Sequence, residues 1–364
     1  MHVLILNWRD PKNPKAGGAE IVTINHAKAW VRAGHKITWF ASGFKDSLRR
    51  ETIEGVNVVR RGNSFSVYLF APFYYLFGGE KFDLVVDEIH GLPFLTPLYV
   101  RKPKIAFIHE VAQEIWNYMY PFPFNYFGRF LEKIYFGLYR NILFWTDAPS
   151  TIDDLIKFGI KRKLCMAIPC PIENKTLDRL PIKESRPTFI FVSRIVKMKG
   201  IEEVLEAFAQ IKKERKNAKL WIAGGGEEAY ISKLREKVLG FGIRESVTFF
   251  GQVSNQKKLE LLRKAHILLH ASVREGWGLV VLEAASQGTP TIAYNVSGLR
   301  DSVRNGKTGI IISENNPKEL AKEAILLLAD KEKYKTFQEN GMAWVKNLTW
   351  ENATEESLKL IEGI

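Results

Sequence analysis

The chain has 364 residues, 46% of them hydrophobic and 26% charged, with a net charge of +13. That balance supports two domains with cores of their own and excludes a disordered chain. Two cysteines, Cys165 and Cys170, are too few for a disulfide framework, and no apolar run reaches the roughly 20 residues that cross a bilayer.

Residues 1–180 hold 24 basic and 17 acidic side chains, so about half of the excess charge lies in each half of the chain. A basic surface of this kind favours phosphorylated substrates, acidic lipid headgroups or nucleic acid as partners. Met1–Leu6 has neither the charged flank nor the cleavage site of a secretory signal. A cytoplasmic location is expected, with room for peripheral contact at the cytoplasmic face of a membrane.

Apolar β-type runs in the first half fall at Val3–Leu6, Lys36–Phe40, Val56–Val59, Asp83–Val86, Ile105–Ile108 and Leu164–Ile168. A polar loop, Asn7–Ala16, leads from the first of these to Gly17-Gly18-Ala19-Glu20 and a helical pattern that stops at Gly34. Backbone N–H groups at such a helix start suit a phosphate or an acceptor oxygen. An ordinary helix entry, with Glu20 complementing the dipole, explains the same residues. His109-Glu110 follows Ile105–Ile108 at the carboxyl end of a strand, where an imidazole can bond a sugar hydroxyl or pass a proton. His90 has a weaker version of the same claim. The remaining histidines, His270 among them, read as structural. Residues 169–187 carry Pro169, Pro171, Pro181 and Pro187 and read as a linker.

A second series then starts afresh. Strands are expected at Thr188–Val192, Lys219–Ala223, Val247–Phe250, His266–His270, Thr291–Tyr294 and Gly309–Ile312, with helices between them. The alternation specifies an α/β chain of two doubly wound domains, 1–170 and 188–345, that face each other across a cleft at their strands' carboxyl ends. Residues 171–187 would link them, and 346–364 would form a helix that returns to the first domain, capped by Thr349.

Arg194 and Lys199 lie just past the first strand of this series, with Gly200 opening a helix. Two cations beside a helix N-terminus match a diphosphate, since dipole and charge-assisted hydrogen bonds add. Gly224-Gly225-Gly226 permits close approach of a phosphate or ribose, or simply makes a tight turn. Glu275-Gly276-Trp277-Gly278-Leu279-Val280-Val281-Leu282-Glu283 puts two carboxylates at the ends of a glycine loop that runs into a helix. Carboxylates accept hydrogen bonds from hydroxyls, and Gly276 and Gly278 leave the backbone open to a ligand. The same two acids could be the pair of a glycosidase, but the second should point along the pocket rather than across a scissile bond. No Asp-x-Asp occurs, so no metal is signalled at a diphosphate and no cofactor is called for.

Residues 65–79 and 116–145 (Phe65–Gly79 and Trp116–Trp145) contain 20 of the 44 aromatic residues, with Arg129, Lys133 and Arg140 among them. Core packing must use many of these rings. The number exceeds the need of one small core, and aromatics mixed with cations suit an anionic membrane surface. Stacking on single-stranded nucleic acid has no accompanying motif and is the weaker reading.

Arg194…Lys199-Gly200, Gly224–Gly226, Val247–Gly251 and Glu275–Glu283 together resemble the retaining glycosyltransferases of family 4, over nearly the whole chain. The resemblance implies the GT-B fold and transfer of a sugar from a nucleotide-diphosphate donor to an acceptor, here a glycan or a lipid-linked, membrane-proximal one. It assigns Arg194 and Lys199 to the diphosphate, and Glu275 with the N–H groups of Gly276 and Trp277 to the donor sugar. Glu283, near Val280, takes the ribose. Gly17, Gly18, Gly225 and Gly278 would line the donor, and His109 would lie over the sugar. Trp277 stands where the family has Phe, and Ala271 where it often has Pro, which bears on pocket shape. A nucleotide-sugar epimerase on the same fold, or a non-catalytic protein of membrane surfaces or nucleic acid, are the alternatives.

Overall fold

The computed structural model describes residues 1–364, which divide into two units. One comprises Met1–Cys170 with Thr349–Ile364, the other Pro171–Leu348.

The first unit is built on eight strands: β1 (His2–Leu6), β2 (Lys36–Ala41), β3 (Arg50–Ile53), β4 (Val56–Arg60), β5 (Leu84–Ile89), β6 (Lys104–Ile108), β7 (Leu143–Thr146) and β8 (Cys165–Ala167). They lie in the order β3-β4-β2-β1-β5-β6-β7-β8, and every pairing is parallel except β3 with β4. Parallel strands covered on both faces need apolar residues at every position, and Val3-Leu4-Ile5-Leu6 is fully buried throughout. Leu4 and Leu6 pack with Phe40, Val67 and Tyr74 on one face. The pattern missed β3, because Arg50-Glu51-Thr52-Ile53 is a charged edge strand with no buried face of its own.

The second unit holds β9 (Thr188–Val192), β10 (Lys219–Ala223), β11 (Val247–Gly251), β12 (Ile267–His270), β13 (Thr291–Ala293) and β14 (Gly309–Ile311), all parallel, in the order β11-β10-β9-β12-β13-β14. Successive side chains of β9 serve opposite faces: Phe189 and Phe191 join one core with Val204 and Phe208, Ile190 and Val192 another with Leu268 and Val281. Counted from β9, this is the 3-2-1-4-5-6 order of doubly wound sheets. Leaving out the edge strand β3 and the last strand β8, the first sheet follows it too. In each unit the first strand therefore has neighbours whose connections leave in opposite directions, and ligands bind outside the carboxyl ends at that switch point.

Residues 171–187, expected as a linker, group with the second unit. Backbone bonds from Leu177 to Ser286 and from Glu184 to Lys264 tie them down, and the Lys183 ammonium donates to Thr289 at 2.6 Å. The final helix, Trp350–Glu362, is capped by Thr349 and packs on the helix Gly18–Arg32 within the first unit. Ser357 meets His26 Nδ1 at 2.8 Å and accepts from the Trp30 indole at 3.0 Å.

Candidate active site

In the second unit β9 and β12 are neighbours, and the residues that leave their carboxyl ends converge. Past β9, Lys197–Lys199 form one 3-10 turn, and Gly200 turns left-handed (φ +73°) into the helix Ile201–Glu214. A Cβ at Gly200 would lie 2.0 Å from the Ala271 carbonyl oxygen, so only glycine lets this turn touch the loop past β12. That loop is held from both sides: Val273 N–H donates to Met198 O, and Glu275 N–H to Ser297 O.

The contact brings Lys199 Nζ to 2.7 Å from Glu275 Oε1. Ser272 donates to the same oxygen at 2.7 Å, and His270 Nε2 lies 3.0 Å from it. Burial alone would raise the Glu275 carboxyl; Lys199 and His270 outweigh burial and hold it well below the usual carboxylate range. Glu275 is thus a fixed anion and acceptor. Lys199, read as a diphosphate group, spends one of its three donors here. Arg194, five residues earlier in the same segment, is exposed, and no hydrogen bond engages its guanidinium.

Gly276 and the buried Trp277 continue the loop to Gly278, which is left-handed (φ +85°) and opens the helix Leu279–Ser286. Val280 and Glu283 lie on that helix. Glu283 meets Lys258 Nζ at 2.6 Å; burial raises its carboxyl above the ordinary value, with Lys258 pulling against it. Gly225 sits past β10 and its carbonyl accepts from Ile195 N–H, so the glycine triplet is fastened to the Arg194 loop.

The first unit carries its own cluster at the corresponding place. Asn7 follows β1, Glu88 is the last residue but one of β5 with His90 just past its end, His109 follows β6 and Asp147 follows β7. Glu88 is 1% exposed, which makes its partners decisive. It accepts from Asn7 Nδ2 at 2.6 Å and Thr23 Oγ1 at 2.7 Å, and His109 Nε2 lies 3.3 Å away. His109 Nδ1 is 2.5 Å from Asp147 Oδ2. Burial works to raise Glu88 and to lower His109, but the opposed charges win: Glu88 falls to about 2 and His109 rises to about 10. Atoms of Glu88, His90 and His109 come within 4.8 Å of one another, the spacing a metal ion would need. Asn7 and Thr23 both donate to Glu88, so hydrogen bonds tie this cluster together. Gly17 caps the helix that begins at Gly18, its N–H donating to Glu20 Oε2 at 2.7 Å.

Glu88, Asp147, His270, Ser272 and Lys258 escaped the sequence reading. An acid inside the apolar run Leu84–Ile89 was a usable sign for Glu88, since a buried carboxylate there needs partners. His270 was set aside as structural, whereas it reaches the motif acid.

Nineteen of the twenty-nine large apolar side chains that stay exposed fall between Phe65 and Leu138. The helix Val67–Phe77 has no charged residue, and it turns Leu69, Phe73 and Phe77 outward at 64–76% exposure. The helix Phe124–Leu138 buries Gly128, Glu132, Tyr135 and Phe136 and shows Phe127, Phe130, Ile134 and Leu138 to the outside, with Lys133 and Arg140 exposed nearby. No helix is long and apolar enough to cross a membrane.

Sequence comparison matches residues 173–344 to the family described as Glycosyl transferases group 1, and residues 16–175 to Glycosyltransferase Family 4. The N-acetyl-alpha-D-glucosaminyl L-malate synthase of Bacillus anthracis is 34% identical, over 90% of this chain and 88% of its own. Matches to other curated glycosyltransferases span under half the length of those relatives. Among solved structures, sucrose-phosphate synthase of Thermosynechococcus elongatus superposes with a TM-score of 0.79 at 19% identity, covering 100% of this chain and 98% of its own. Anabaena HepE, solved in complex with UDP-glucose, gives 0.74 at 18% with both chains covered completely.

Proposed function

Since this chain belongs to the family 4 glycosyltransferases, we propose that it moves a sugar from a nucleotide-diphosphate donor to an acceptor with retention of configuration and without a metal ion at the diphosphate. The observation that carries the reading is the Lys199–Glu275 pair at the switch point of the second sheet, with Arg194 exposed in the same strand-to-helix segment. Departure of the diphosphate concentrates negative charge on its oxygens. Arg194, Lys199 and the N-terminus of the helix Ile201–Glu214 stand ready for that charge before it develops, so they favour the transition state over the ground state. Glu275, a permanent acceptor, suits the sugar hydroxyls, and Glu283 the ribose. The cluster around His109 serves the sugar and acceptor.

UDP-glucose, UDP-N-acetylglucosamine and GDP-mannose, each tested by thermal shift, identify the donor. A ligand at 100 times its Kd stabilises the folded state by about 2.7 kcal/mol. No rise with any of them, and no heat in calorimetry, overturns the reading. Retention is checked by the anomeric coupling of the product in proton NMR.

The outward aromatic helices of the first unit favour a lipid-linked acceptor at an anionic membrane. Nothing in the cluster itself selects nucleic acid. The Bacillus relative is named for L-malate, which makes a small hydroxy acid the second reading. Vesicles of phosphatidylglycerol that float the protein support the first. Turnover with L-malate and no flotation supports the second.

A further inference from the structure

We propose that Asp147 and Glu88 are positioning residues that clamp His109 by its two ring nitrogens, making it a hydrogen-bond donor to substrate and not a general base. Both nitrogens face carboxylate oxygens: Nδ1 meets Asp147 Oδ2 at 2.5 Å and Nε2 meets Glu88 Oε1 at 3.3 Å. A neutral imidazole carries one proton and would turn a lone pair against one of the two acids; only the imidazolium satisfies both. The proton could instead sit on Glu88, but that carboxylate is committed as an acceptor. Asn7 Oδ1 accepts from Arg9 N–H, which points its amide nitrogen at Glu88 Oε2, and Thr23 donates to Oε1.

The two arms differ. The Asp147 bond is short and buried, and it fixes the ring; the Glu88 contact is long and can be given up. About 11% of the His109 side chain remains exposed, and a sugar or acceptor oxygen that reaches Nε2–H can share it with Glu88 while Asp147 keeps the charge in place. The other titratable groups facing the ring are histidines: His90, 5.6 Å away ring to ring and with its own Nε2 3.3 Å from Glu88 Oε1, and His26, which burial keeps neutral by lowering it to about 3. The raised affinity of His109 for its proton agrees with the clamp. The use of the donated bond rests on the glycosyltransferase reading; the state of the ring does not.

Long-range proton–nitrogen NMR of the whole chain, labelled at histidine, reads that state without any substrate. Both ring N–H groups of His109 should persist past pH 8.5. In Asp147→Asn the titration midpoint should fall by about 1–3 pH units, the effect of one close opposite charge, and Glu88→Gln should lower it as well. Asp147→Glu should restore it. Wild-type His109 that loses a proton near pH 6.5 overturns the proposal, whether or not the variants fold. So does a midpoint unmoved in Asp147→Asn, or Zn²⁺ that binds and removes the Nε2–H signal.

Discussion

Lys199 is the residue that ties the turn past β9 to Glu275. On the proposed reading, Lys199→Ala removes a preformed donor to the leaving diphosphate and should cost on the order of 10²–10³ in kcat, with Arg194→Ala similar. The substitution also leaves Glu275 with His270 and Ser272 alone. A carboxylate depressed in the folded state stabilises above its unfolded value, near pH 4, and loses that contribution as pH falls. Between about pH 5 and 3, wild-type melting temperature should therefore drop more steeply than that of Lys199→Ala. His109 acts at the opposite end. Its proton affinity is raised, so its stabilisation is complete below about pH 6.5 and lost as pH climbs through about 10. The difference in melting temperature between wild type and His109→Gln should shrink over that interval. The loop motifs that carry Glu275, Arg194 and Lys199, and their place past strand ends, were legible in sequence. Glu88 and Asp147 were not, because their meaning depends on four strand ends meeting.

Elements show the same division. Runs such as Val3–Leu6 and Thr188–Val192 announce themselves because both faces of a covered parallel sheet are apolar. Short β7 hides among aromatic residues, and β3 lacks an apolar face. Glycines were visible as turns, but not which ones permit contact. Gly200→Ala must displace the Ala271 carbonyl and should destabilise by clearly more than the ~1–2 kcal/mol of a left-handed alanine. Gly251, also left-handed (φ +67°) but with open space around it, should cost no more than that. Chemical denaturation of the two variants compares them directly. The helix Val67–Phe77 offers a further check. Phe73→Ser with Phe77→Ser touches exposed rings, so stability should stay within about 0.5 kcal/mol. Flotation on acidic vesicles should fall at least several-fold.

At the scale of the molecule, the alternation of strands and helices specified two doubly wound sheets, and both follow one strand order from their first strand outward. That shared order is why each unit gathers its polar residues at a single end. What periodicity did not convey was how the chain is divided, for residues 171–187 adhere to the second unit through Lys183 and backbone bonds. A chain ending at Leu348 would lack the helix that covers His26 and Trp30. Its first unit should melt earlier and expose those rings, seen as tryptophan fluorescence, while the second unit is little changed.

The first unit is assembled from two segments that lie on either side of the second unit in sequence. During synthesis its sheet emerges early, yet the helix that seals its flank follows only after the whole of the second unit has been made. A nascent chain must therefore keep an apolar groove shielded for most of its translation, and the carboxy-terminal helix acts as the latch that ends this wait.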